Sequence, residues 1–111
     1  MKTKLTTIIL FLALSINPAL ALTTFGQPDC GQWLTNKKMT DKTWILGYIS
    51  GINYQYGLMN ELKNPLNNIN SSEQIFVWID NYCEKVPFGN VGDGTWWLFE
   101  ELKKNTTKWQ K

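Results

Sequence analysis

The sequence contains no histidine, and all eleven of its basic residues are lysine, so arginine is absent as well. Without histidine, a Ser-His-Asp or Cys-His catalytic pair and a histidine zinc site are excluded. Without arginine, bidentate clamps for phosphate or carboxylate are excluded too. Carboxylates remain as possible acids and bases, but Asp80 and Glu84 are predicted on a solvated helix face. We therefore expect a protein that is not an enzyme and holds no metal and no cofactor.

The one long apolar run lies at the start of the chain. Lys2 and Lys4 precede apolar residues 5–16, and small side chains follow at Ala19 and Ala21. This pattern predicts a secretory signal peptide over residues 1–21, cleaved after Ala21. The run is shorter than the ~20 apolar residues that a membrane-spanning helix needs, so no stable membrane anchor is expected.

Removal of the signal peptide changes the net charge of the chain. Two lysines leave with it, so residues 22–111 carry nine lysines and nine acidic residues. This balance leaves no basic surface of the kind that attracts nucleic acid or anionic membranes. We therefore expect no nucleic-acid partner.

Only two cysteines are present, at Cys30 and Cys83. In an exported chain of about this size, two cysteines predict a disulfide bond, because the compartment is oxidising and the core is small. Closing a loop of this length constrains the unfolded chain by roughly 4 kcal/mol on the entropy model.

The rest of the chain has helical periodicity and no long alternating segment. A short first helix is predicted from near Asp29 to just before residues 35–38. A second is predicted from Thr40 or Asp41 to about Asn60. Its apolar side chains recur every fourth residue and predict one broad buried face, comprising Trp44, Ile45, Tyr48, Ile49, Ile52 and Tyr56.

Two glycines, Gly47 and Gly51, lie one turn apart on the second helix. Such spacing leaves a strip along which another backbone can approach closely. Because Asn53 and Gln55 make the segment partly polar, the pattern favours a close helix crossing within the molecule over an oligomer face. A homodimer stays possible.

The third predicted helix ends at Pro87 and begins at a capping signal. Asn70 and Glu73 resemble a capping box, and Ser71 or Ser72 is an alternative cap. Its buried face is predicted to hold Ile75, Phe76, Ile79, Tyr82, Cys83 and Val86.

A last helix is predicted to follow Asp93, which is a good cap, with Trp97, Leu98 and Leu102 packed inward. Neighbouring helix positions point about 100° apart, so Trp96 and Trp97 cannot share one narrow buried face. Trp96 is the better candidate for an exposed apolar anchor. The four segments predict an all-α fold, a small four-helix bundle closed by one disulfide, as a single domain over residues 22–111.

Between the second and third helices, residues 62–72 contain a proline and four asparagines. This composition predicts a loop. Loops on a helical frame often carry function, so Asn64, Asn67 and Asn68 are candidate contacts to a partner.

Several stretches resemble small bacterial periplasmic proteins of the HdeA-like kind. They are Cys30 with Trp33 and Leu34, then WILGYISGIN at 44–53, VWIDNYC at 77–83 followed by Pro87, and LFEEL at 98–102. The resemblance implies a disulfide-stapled helical fold, a bacterial periplasm and a non-enzymatic role on a protein partner. Similar proteins include acid-stress chaperones and Tai-type immunity proteins, which block amidase effectors of type VI secretion.

From these features we expect a periplasmic binding protein of HdeA-like fold, similar to a stress chaperone, that acts on a protein partner. One alternative is an immunity protein that inhibits a type VI secretion amidase effector. Another is a carbohydrate- or peptide-binding module, because aromatic side chains such as Trp96 can line a groove.

Overall fold

The computed structural model describes residues 23–109, with side chains up to Lys104. Its helices are α1 (Cys30–Thr35), α2 (Met39–Met59), a 3-10 helix η1 (Pro65–Asn68), α3 (Ser72–Lys85) and α4 (Val91–Trp109). The predicted all-α fold closed by one disulfide is confirmed. Across residues 23–109, no helix has the length and apolar character to cross a membrane. The predicted signal peptide, residues 1–21, lies outside the described residues.

The disulfide joins Cys30 at the start of α1 to Cys83 near the end of α3, and neither cysteine is exposed to solvent. Trp33, one turn along α1, is also fully buried and packs its indole 5.9 Å from the ring of Phe76. The rest of the core comes from α2, α3 and α4: Ile45, Ile49, Ile75, Ile79, Val91, Leu98, Phe99 and Leu102. The disulfide therefore lies inside the core rather than at its edge.

The start of α3 differs in detail from the expected capping box. The cap is Ser71, and Gln74 closes the box. Gln74 Oε1 accepts hydrogen bonds from the backbone N–H groups of Asn70, at 2.7 Å, and Ser71, at 3.4 Å. The pairing of Asn70 with Glu73 is wrong, because the helix begins one residue later than that pairing requires, and the alternative cap at Ser71 is correct.

The last helix begins before Asp93, which was expected to cap it. Asn90 takes that position, since its side-chain oxygen accepts the N–H of Asp93 at 2.8 Å. Asp93 lies in the first turn, where a carboxylate is stabilised by the helix dipole.

The close helix crossing predicted at Gly47 and Gly51 is wrong. Both glycines are exposed, and a Cβ added to either would have no described atom of another element within 4 Å. Close approach occurs instead at Gly94, in the first turn of α4. A Cβ there would lie 2.7 Å from Cδ1 of Tyr82 and 3.2 Å from Cδ1 of Ile79, both on α3. The indole of Trp78 donates to the Gly94 carbonyl at 3.0 Å across the same crossing.

Two side chains expected to be buried lie outside the core. Trp97 is 57% exposed, because α4 turns the face bearing Thr95, Leu98, Phe99 and Leu102 inward and residue 97 falls beside it. Val86 is 41% exposed, because it follows the last residue of α3.

The segment at residues 62–72 is more ordered than a simple loop. Its centre forms η1, which begins at the buried Pro65, so the loop prediction is wrong for residues 65–68. Asn53 on α2 makes two hydrogen bonds to this segment. Its Nδ2 donates to Oδ1 of Asn64 at 2.9 Å, and its Oδ1 accepts the N–H of Leu66 at 3.2 Å.

Candidate functional site, an aromatic groove between α2 and α4

A groove of about 510 Å³ runs between α2 and α4. Each wall is formed by residues three or four positions apart on one helix, because residues at that spacing lie on the same side of a helix. The apolar lining consists of Tyr48, Gly51, Ile52, Tyr56, Met59, Trp96 and Phe99, and the polar lining consists of Gln55, Asn60 and Lys103. The groove is thus mainly apolar, with four aromatic side chains and few polar groups, which is typical of ligand-binding sites.

The wall of the groove includes a packed aromatic pair. Tyr56 and the buried Phe99 meet edge to face, with ring centroids 5.5 Å apart and an interplanar angle of 77°. This arrangement is a favourable one for aromatic rings. The Nζ of Lys103 lies 5.5 Å from the centroid of the Tyr56 ring and 2.8 Å from Oε1 of Glu100. A cation is therefore held beside the aromatic surface by both contacts.

Trp96 and two amide side chains complete the lining. Trp96 is 45% exposed, so part of its indole is accessible to a ligand. Gln55 Nε2 donates to the thioether sulfur of Met59 at 3.3 Å, and Asn60 Nδ2 donates to the carbonyl of Tyr56 at 2.8 Å. The amide of Gln55 thus faces a weak acceptor.

A second groove of about 420 Å³ lies further toward the start of α2, between that helix and residues 24–25. Trp44 and Tyr48 stack there with centroids 4.9 Å apart, and the indole of Trp44 donates to the carbonyl of Phe25 at 2.7 Å. Tyr48 lines both grooves, and Gly47 and Gly51 line one each. The two glycines therefore lie beside open grooves rather than at a helix crossing.

Burial perturbs the tyrosine that lies between the two grooves. It raises the pKa of the Tyr48 phenol above its ordinary value of 10.0, and the nearby negative charge of Asp93 raises it further. The same two causes, in the same order, raise the pKa of Tyr82. Asp93 therefore acts on both phenols.

The structure does not bring the asparagine candidates to the aromatic groove. Asn64 and Asn67 are exposed on the segment around η1, and Asn68 is half-buried. The Nδ2 atom of Asn68 is buried and has no hydrogen-bond partner within the described part of the chain. Of the predicted partner contacts, Trp96 is the one that lines the groove.

The sequence did not reveal that α2 lines a groove, because its apolar side chains at every fourth residue predict a buried face. Ile45 and Ile49 are buried, but Trp44, Tyr48, Ile52 and Tyr56 are half-buried and form the side of the core that borders solvent. One signal in the sequence could have revealed this. Residues 43–60 contain no charged side chain, whereas the solvent face of a surface helix ordinarily carries charge.

Comparisons with protein-family models, with characterised proteins and with solved structures find no match to this chain. The resemblance to HdeA-like proteins therefore stays a prediction from the sequence pattern. The geometry of the groove is the basis for a functional proposal.

Proposed function

We propose that this protein is a non-enzymatic binding protein of the bacterial periplasm, and that the groove between α2 and α4 holds an apolar segment of a protein partner. The observation that carries this proposal is the partly exposed aromatic lining formed by Tyr56, Trp96 and their neighbours. Grooves of this kind accept the apolar face of a peptide or helix. Aromatic anchors also dominate the binding energy of many protein interfaces.

Exposed apolar side chains on α2, the helix that forms one wall of the groove, support a protein partner. Tyr54, Leu58 and Met59, in the second half of α2, are 69%, 58% and 73% exposed. Met59 is also part of the lining. Exposed apolar patches larger than those of an ordinary soluble monomer mark interaction sites. The flexible thioether of Met59 suits a surface that accepts varied sequences.

The proposed compartment is supported by the leader and the disulfide. The apolar run after Lys4 has the pattern of a signal peptide. The Cys30–Cys83 bond belongs to an oxidising environment such as the periplasm. The resemblance to HdeA-like proteins favours a stress-chaperone role, in which the partner is a partly unfolded protein.

The test uses the exported protein in an aggregation assay with a thermally unfolding client. The wild-type protein is expected to suppress client aggregation, and Trp96→Ser is expected to weaken that suppression. Trp97→Ser is the matched control, because Trp97 is the adjacent residue and is similarly exposed but does not line the groove. Circular dichroism should show both variants folded. Equal effects of the two substitutions, or no suppression by the wild-type protein, would contradict the proposal.

An immunity role is the second candidate, and the segment around η1 favours it. Asn53 and the buried Pro65 hold this segment in one conformation, and Asn64 and Asn67 are exposed on it. A pre-organised loop loses less entropy on binding, as an inhibitor requires. Under this alternative, Asn67→Ala should abolish protection against a cognate amidase toxin, whereas Trp96→Ser should leave protection intact.

A further inference from the structure

We infer that the groove selects partner segments by charge, and binds most tightly an apolar peptide with a carboxylate side chain at one end. This inference rests on the proposed function. Among the described residues that line the groove, Lys103 is the one charged residue. A ligand that fills the groove therefore meets an apolar surface along most of its length and a single cation at one place.

The position of Lys103 makes its charge effective. Its side chain is 29% exposed, and its ammonium is close to the Tyr56 ring. Partial removal of water lowers the local dielectric constant and strengthens attraction to an anion. An ammonium group has three N–H donors, and Glu100 Oε1 accepts from one side at 2.8 Å. A partner's carboxylate can therefore bind alongside Glu100 or replace it.

The amide groups of the groove favour a peptide over a fatty acid, which would also offer an apolar chain and a carboxylate. Gln55 donates to the Met59 sulfur, and a peptide carbonyl is a stronger acceptor than a thioether. A bound peptide can take over this donor, whereas an acyl chain has no group for it. The occupant that uses the whole lining is therefore a peptide.

The inference is tested with two fluorescent peptides of equal length and identical apolar sequence, one ending in Glu and the other in Gln, both with a blocked C-terminus. Fluorescence anisotropy at low salt gives their dissociation constants. We expect the Glu peptide to bind about threefold to fivefold more tightly, as for a partly exposed ion pair. Added salt should reduce this ratio, because it screens the charges.

Lys103→Gln should make the two peptides bind equally. Lys104→Gln is the matched control, because Lys104 pairs with Glu101 across the same three-residue spacing, at 3.0 Å, but does not line the groove. This control should keep the preference for the Glu peptide. Glu100→Gln should increase the preference, since it removes the competing carboxylate.

The outcomes separate the inference from the proposed function. If both peptides bind with equal affinity, or if Lys104→Gln abolishes the preference as Lys103→Gln does, charge selection is wrong and the groove still binds apolar segments. If neither peptide binds at millimolar concentration, both the inference and the proposed function fail. If a fatty acid binds more tightly than the Glu peptide and depends on Lys103 in the same way, the occupant is a lipid and the inference is overturned.

Discussion

The indole Nε1 of Trp33 donates a hydrogen bond to Oδ1 of Asp80 at 2.9 Å, which connects α1 to α3 beside the disulfide. Trp33 is fully buried, and Nζ of Lys37 lies 3.4 Å from the same carboxylate oxygen. Asp80 was expected on the solvent face of its helix. It instead satisfies a buried donor, because α1 packs along one edge of α3.

Asp80→Ala should lower the free energy of unfolding by about 1–3 kcal/mol, because it leaves the buried indole N–H without a partner. Asp80→Asn keeps an acceptor oxygen and should lower it less. Urea denaturation of each variant measures the difference. Glu84→Ala is the control, since Glu84 is exposed on the same helix and should change stability by no more than about 0.5 kcal/mol. Equal effects of Asp80→Ala and Glu84→Ala would show that the hydrogen bond contributes nothing.

The disulfide should make a large contribution to stability, because it closes a loop with a sequence separation of 53 residues. Cys83→Ala should lower the free energy of unfolding by about 2–5 kcal/mol. Cys30→Ala should have a similar effect, and the double variant should be little worse than either single variant. Thiol titration of the denatured wild-type protein should detect no free thiol. Two reactive thiols, or additive effects of the two substitutions, would contradict this prediction.

Much of the fold could be predicted from local patterns. The periodic apolar residues of the helices and Pro87 after α3 are signals that can be recognised within a few residues of sequence. The Cys30–Cys83 bond followed from there being only two cysteines in a chain with a predicted leader. These predictions needed no knowledge of how one helix lies against another.

The groove and the helix crossing could not be predicted in this way, because both depend on the relative placement of helices. The spacing of Gly47 and Gly51 shows that a strip of α2 has no large side chains, but it does not show whether another helix packs against that strip. The contact of Gly94 with Tyr82 depends on the angle between α3 and α4, which no local pattern around Gly94 gives. Likewise, several apolar side chains of α2 are only half-buried because α4 packs against one side of them, and the sequence of α2 does not give the position of α4.

The two kinds of glycine should respond to alanine in opposite directions. Gly51→Ala should raise the free energy of unfolding by about 0.5–1 kcal/mol, because the site is open and alanine favours a helix. Gly94→Ala should lower it by about 1–3 kcal/mol, because the new methyl group overlaps the Tyr82 ring. Thermal and urea denaturation measure both. A destabilising Gly51→Ala would show that another surface packs against this strip, and a neutral Gly94→Ala would show that the crossing adjusts easily.

The raised pKa values of Tyr48 and Tyr82 predict a loss of stability in alkaline solution. In the unfolded chain each phenol has its ordinary pKa of 10.0, and in the folded protein the pKa is higher, first through burial and second through Asp93. The folded state therefore binds the phenolic proton more tightly. This contribution is fully present below about pH 10 and is lost as the pH rises through the folded pKa.

The free energy of unfolding should accordingly fall more steeply above about pH 10 in the wild-type protein than in Tyr48→Phe, which removes one of the two phenols. Asp93→Asn should lower the pKa of both tyrosines by a smaller amount than burial raises it, since Asp93 is the second cause. Ultraviolet absorbance of the phenolates follows this titration directly. Comparing the shape of each pH profile, rather than stability at neutral pH, separates this effect from the loss of a carboxylate in the first turn of α4. An Asp93→Asn titration that overlays the wild-type curve would show that the carboxylate does not act on either phenol, and burial alone would then account for both shifts.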